Sequence, residues 1–90
     1  MKNLKEKSNK ALRTAQYKST FLTPTKFLAR SGKTVYISQE LHKRLSLLVF
    51  MLGGGELTLS DYMQNLLQHH LEDYKEEIKE IYKNTDKPIF

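Results

Sequence analysis

Hydrophobic and polar positions along the chain fall into distinct patterns. Residues 33–38, Lys-Thr-Val-Tyr-Ile-Ser, alternate, with Val35 and Ile37 pointing one way and Thr34 and Tyr36 the other. Their β-branched and aromatic content predicts a half-buried strand about five residues long. From there the period changes to that of a helix. Over 39–52 the side chains Leu41, Leu45, Leu48, Val49 and Leu52 share one stripe, while Leu47, Phe50 and Met51 carry apolar character beyond it. Ser38 has N-cap chemistry, and Glu40 suits the positive end of the helix dipole. Gly53-Gly54-Gly55 stops this helix. Thr58-Leu-Ser-Asp61 reads as a capping box, opening a second helix over 59–83. Its stripe of Leu59, Tyr62, Met63, Leu66, Leu67, His70, Leu71, Tyr74, Ile78 and Ile81 keeps a spacing of three and four. The outer face pairs Glu72 with Lys75, Glu76 with Lys79 and Glu80 with Lys83.

The N-terminal third is different. Residues 1–20 are polar, Lys-rich and weakly periodic, which predicts a mobile arm that orders on binding. Residues 21–29 form an apolar island broken by Pro24. The expected organisation is a basic flexible arm over 1–29 with its island at 21–28, a folded domain over 30–83 and a tail over 84–90.

At 90 residues this is one small domain, too short for a complete enzyme with its own deep cleft and short enough to need a staple or a partner. Cysteine is absent, which removes disulfides and thiolate metal sites. No apolar run reaches the length of a membrane span, and the basic N-terminus lacks the apolar stretch of a secretory signal, so a cytoplasmic protein without membrane contact is expected.

Charge changes the picture more. The chain holds 15 basic and 10 acidic side chains, a net +5. Residues 1–33 carry nine of the basic side chains and only Glu6 against them, a net +8; residues 34–90 carry a net −3. A basic arm beside a mildly acidic body suits a polyanion such as nucleic acid, although a solubilising tail has the same composition.

A single strand cannot satisfy its own backbone donors and acceptors. The simplest remedy is the same strand of a second copy, giving an antiparallel two-stranded ribbon about a twofold axis and an obligate homodimer. The expected dimer core is Val35, Ile37, Leu41, Leu45, Leu48, Tyr62 and Leu66.

With Thr34-Val-Tyr-Ile-Ser38, leucines at 41, 45 and 48, a glycine turn and Thr58-Leu-Ser-Asp-Tyr-Met, residues 30–70 resemble the ribbon-helix-helix fold of bacterial repressors. The Val35-Tyr-Ile-Ser run, the Thr58 element and His70-Leu-Glu-Asp-Tyr74, with Ile78 and Tyr82, are also similar to a domain of unknown function on conjugative transposons of anaerobic bacteria, over most of residues 17–83. The first resemblance implies a mainly α protein with one short strand and two helices per chain, its ribbon lying in the major groove of double-stranded DNA. On this sequence the base-reading face would be Arg30, Gly32, Thr34 and Tyr36. Gly32 departs from the family, where a long basic or amide side chain is common. The resemblance puts a phosphate at the start of the second helix, on the amides of Leu59 and Ser60 with the hydroxyls of Thr58 and Ser60, and Lys33 and Lys26 would add phosphate contacts.

Competing chemistry is weak. Gly53–Gly55 lacks the Lys-Ser/Thr of a phosphate loop. His42, His69 and His70 have no metal spacing. Neither a nucleophile triad nor a carboxylate pair in a plausible pocket is visible, so no enzyme, metal or cofactor is expected. The expectation is sequence-specific DNA binding by a homodimer, with higher-order association on DNA. The protein would repress transcription or assist a relaxase or recombinase in excision or transfer of a mobile element. An antitoxin and a protein-interaction adaptor without DNA contact are the alternatives; a helix-turn-helix leaves the strand unexplained.

Overall fold

The computed structural model describes residues 4–83 and 88–90, with side chains from residue 9 onward. Four α-helices make up the regular structure of these residues: α1 (Leu4–Phe21), α2 (Gln39–Leu52), α3 (Leu59–Asp73) and α4 (Lys75–Tyr82). A 3₁₀ turn, Ala29–Ser31, lies between α1 and α2.

Among the described residues there is no strand and no sheet. Residues 33–38 form an irregular stretch, paired with nothing, that runs into Ser38 at extended dihedrals. This overturns the ribbon-helix-helix expectation and its intermolecular ribbon. Alternation and β-branched content report how well side chains suit a pleated surface; the ladder must come from a neighbouring strand, and none is present.

The N-terminal segment also differs from expectation. Instead of a mobile arm it forms an 18-residue helix. Ala11, Leu12, Ala15 and Gln16 are good helix formers, and the C-terminal half docks on α3. Tyr17, Phe21 and Leu22 pack on a core of Val49, Leu57 and Tyr62, together with Leu45, Leu48, Leu59 and Leu66. Phe21 lies 5.1 Å from the His69 ring, edge-on. The apolar island is thus partly the end of α1 and partly a connector leading through Pro24 to the 3₁₀ turn.

Helix α2 has its expected bounds, with Ser38 as N-cap accepting from the Leu41 amide. It ends at Gly53, and the chain turns through Gly54 and Gly55 at φ of 63° and 82°, where a side chain would be strained. The capping box of α3 is present: the Thr58 hydroxyl accepts from Asp61 N–H, and the Asp61 carboxylate accepts from Thr58 N–H. The expected single helix over 59–83 is broken at Tyr74, which has φ −108° and ψ 16°. Apolar spacing passes through the break unchanged, so periodicity does not reveal it. Of the three ion pairs expected on the outer face, Glu80–Lys83 forms at 2.8 Å.

Candidate nucleic-acid interface

Three contacts fix α1 and the connector after it. The Tyr17 and Tyr62 hydroxyls are 2.8 Å apart. Asn65 Nδ2 donates to the carbonyls of Phe21 and Thr23, at 3.2 and 2.8 Å, satisfying acceptors at the end of α1. Asp61 is the third. Its Oδ1 accepts from the Thr25 amide at 3.1 Å and the Thr25 hydroxyl at 2.8 Å, while Oδ2 accepts from Thr58 N–H at 3.1 Å. Burial works to raise the pKa of Asp61, but the bonds from Thr58 and Thr25 outweigh it and hold the carboxyl below its ordinary value. Burial, reinforced by the Tyr17 bond, pushes Tyr62 up to about 12.

The chain from α1 to residue 33 is basic and exposed. Lys10, Arg13 and Lys18 on α1, Lys26 in the connector, Arg30 in the 3₁₀ turn and Lys33 after it are all exposed. Among the described residues none of these belongs to an ion pair, the pairs being Arg44–Glu40 and Lys83–Glu80. The sequence holds no carboxylate between Glu6 and Glu40. Six unneutralised cations therefore share one carboxylate-free stretch. Such a surface attracts a polyanion, and its field weakens with salt.

The residues expected to read bases fall on two segments, the 3₁₀ turn with its C-cap and the unpaired stretch after it. Arg30 sits in the 3₁₀ turn, and Gly32 follows it. A Cβ on Gly32 would come within 2.5 Å of the Phe27 ring, so the absent side chain makes room for intramolecular packing. Thr34 and Tyr36 lie on the unpaired stretch, and Tyr36 is 94% exposed.

Of the expected phosphate site, Leu59 and Ser60 are half-buried, and the Thr58 hydroxyl is engaged by Asp61 N–H. The charged Asp61 carboxylate occupies this helix terminus and would repel a phosphate there. Lys26 and Lys33 remain exposed, on the basic surface.

The expected dimer core divides. Leu45, Leu48, Tyr62 and Leu66 join the core of the single chain. Val35 is 80% exposed, and Leu41 and Ile37 are uncovered to a lesser degree.

Sequence reading expects the basic arm that holds Lys10, Arg13 and Lys18 to add phosphate contacts, without choosing among its side chains, and does not find Tyr17, Thr25 and Asn65 as the groups that hold their helix. The carboxylate-free stretch was the available signal for the first three. Among the described residues, no group of three or more His, Cys, Asp or Glu side chains is arranged to hold a metal, and no helix is long and apolar enough to cross a membrane.

The chain belongs to the family described as protein of unknown function, DUF3408, whose model matches residues 1–85. No curated protein and no solved structure matches it.

Proposed function

We propose that this member of the DUF3408 family binds double-stranded DNA as a homodimer, meeting the phosphate backbone with the basic N-terminal half of the chain. The observation that carries this reading is the set of six exposed, unpaired cations on a stretch without a carboxylate. Lys10, Lys18, Lys26, Arg30 and Lys33 supply phosphate contacts, and Thr34 and Tyr36 lie against the duplex beside them. The protein performs no chemistry of its own. It acts in the cytoplasm as a repressor or as an accessory factor for a relaxase or recombinase of a mobile element; the likeness to transposon-borne domains supports that setting.

Dimerisation rests on a separate observation. The C-terminal half of α2, Leu45-Ser-Leu-Leu-Val-Phe-Met-Leu52, is apolar on every side, and such a helix belongs in an interior. Yet Phe50 is 83% exposed and Met51 68%. The chain exposes 8347 Å², about 2,900 Å² more than the roughly 5,500 Å² expected of a compact monomer of 10.6 kDa. That excess on each copy is ample for an obligate interface of about 2,000–5,000 Å² in total. The occupant of the α2 face is a second copy, joined through helices and not through paired strands.

The test is fluorescence anisotropy of a labelled random duplex titrated with the full chain. Binding at low salt that weakens steeply as salt rises is the expected result. Absence of binding at low salt would overturn the proposal. Exposed Leu67, Leu71 and Ile81 on α3 and α4 favour a second reading, a protein-interaction adaptor, which that negative result would leave standing.

A further inference from the structure

We infer that α1 is a major-groove recognition helix, with Asn9, Arg13 and Gln16 as its base-reading side chains. This rests on the DNA-binding reading above and names the site within it. The three residues fall at i, i+4 and i+7 and so form one stripe of the helix. All three are exposed, and their side chains make no hydrogen bond or ion pair within the described chain. They are also the side-chain types that recognise base edges through paired hydrogen bonds, Arg on guanine and Asn or Gln on adenine. Leu12, 58% exposed and beside Gln16 on the helix surface, offers an apolar contact for a thymine methyl.

The geometry separates reading from anchoring. The side chains that dock α1 on the body, Tyr17 and Phe21, belong to its C-terminal half, where the Tyr62 hydroxyl and Asn65 fix it. Residues 9–16 are uncovered throughout. A helix already formed and held at one end has little ordering cost on binding, and a single helix fits the major groove. Lys10 stands on the stripe of Tyr17, two turns before it, and Lys18 lies beyond that stripe from Asn9 and Gln16, so both can meet phosphate while the reading stripe faces the bases. By contrast, the unpaired stretch 33–38 is not held by a ladder and is a poorer platform for base-edge geometry.

The experiment is selection of bound duplexes from a random library, with the full chain and with Asn9→Ala, Arg13→Ala, Gln16→Ala, Lys10→Gln and Lys18→Gln variants. Circular dichroism confirms that each remains helical. The expected result is a base preference in the unmodified protein that each of the first three variants relaxes at its own position, by about tenfold or more. Lys10→Gln and Lys18→Gln should lower affinity for all duplexes alike, which separates loss of charge from loss of reading. Preferences unchanged in the first three variants, or altered instead by Thr34→Ala or Tyr36→Ala, would overturn the α1 assignment. Salt-sensitive duplex binding with no preference would also overturn it while leaving the DNA-binding reading intact. Failure of the unmodified chain to bind duplex, or binding confined to RNA, would remove both.

Discussion

The Tyr17 and Tyr62 hydroxyls lie 2.8 Å apart, joining the C-terminal half of α1 to the first turn of α3 across 45 residues of sequence. Tyr62 is buried, and burial with this bond favours its neutral form, raising its pKa from 10.0 to about 12. In the unfolded chain the same phenol ionises near 10. The stabilisation is therefore fully present below pH 10 and is lost as pH rises toward 12. A spectrophotometric titration should find an ionisation near pH 12 that Tyr62→Phe abolishes and Tyr17→Phe moves downward. Tyr17→Phe should cost about 1 kcal/mol, the net contribution of one hydrogen bond.

Asp61 ties three segments together: the connector at Thr25, the cap at Thr58 and α3 itself. Asp61→Ala leaves the Thr25 and Thr58 amides without their partner and removes half of the capping box. The expected loss is about 2–3 kcal/mol, read as a lower midpoint in urea unfolding. Because its folded pKa lies below 3.8, the contribution is present above that value and disappears as pH falls through the lower folded value. Acid unfolding of the wild type should thus release α1, with loss of protection in hydrogen exchange over residues 9–21, before or together with the rest of the chain.

How much of this was legible in the sequence differs from element to element. The bounds of α2 and the capping box of α3 follow from side chains that act within a few residues, so Ser38, Thr58 and Asp61 announce themselves. The fate of residues 33–38 depends on a partner strand, which Val35 and Ile37 cannot supply, and propensity alone misassigned it. Helix α1 was missed for the opposite reason. Its own apolar content is low, and what holds it is Tyr62, Asp61 and Asn65, more than 35 residues away. Charge segregation pointed to the basic surface, but the choice among its side chains needed the helix on which Lys10, Arg13 and Lys18 are displayed.

Phe50 projects from α2 into solvent in the single chain. Phe50→Lys should leave the helical content unchanged, since nothing in the monomer covers that ring, while shifting the dimer toward single subunits. Sedimentation velocity at micromolar concentration checks this. A wild-type chain that sediments as a monomer would contradict the dimer.

Tyr36 is the most exposed of the large apolar side chains, and its removal should change stability by less than about 0.5 kcal/mol. Tyr36→Ala is expected to weaken binding of all duplexes to a similar extent, measured by anisotropy on two unrelated sequences. Unchanged affinity on both would show that this stretch stands clear of the DNA.

The central claim, that the basic N-terminal half meets the phosphates, is tested most directly by comparing salt dependence. Duplex affinity is measured over a salt series for the wild type and for a variant with Lys10, Lys18, Lys26, Arg30 and Lys33 all changed to Gln. Every phosphate that the variant no longer neutralises should flatten the log–log slope by about 0.9, so a slope shallower by several units, with unaltered helicity, is the predicted result. Equal slopes for the two proteins would contradict it.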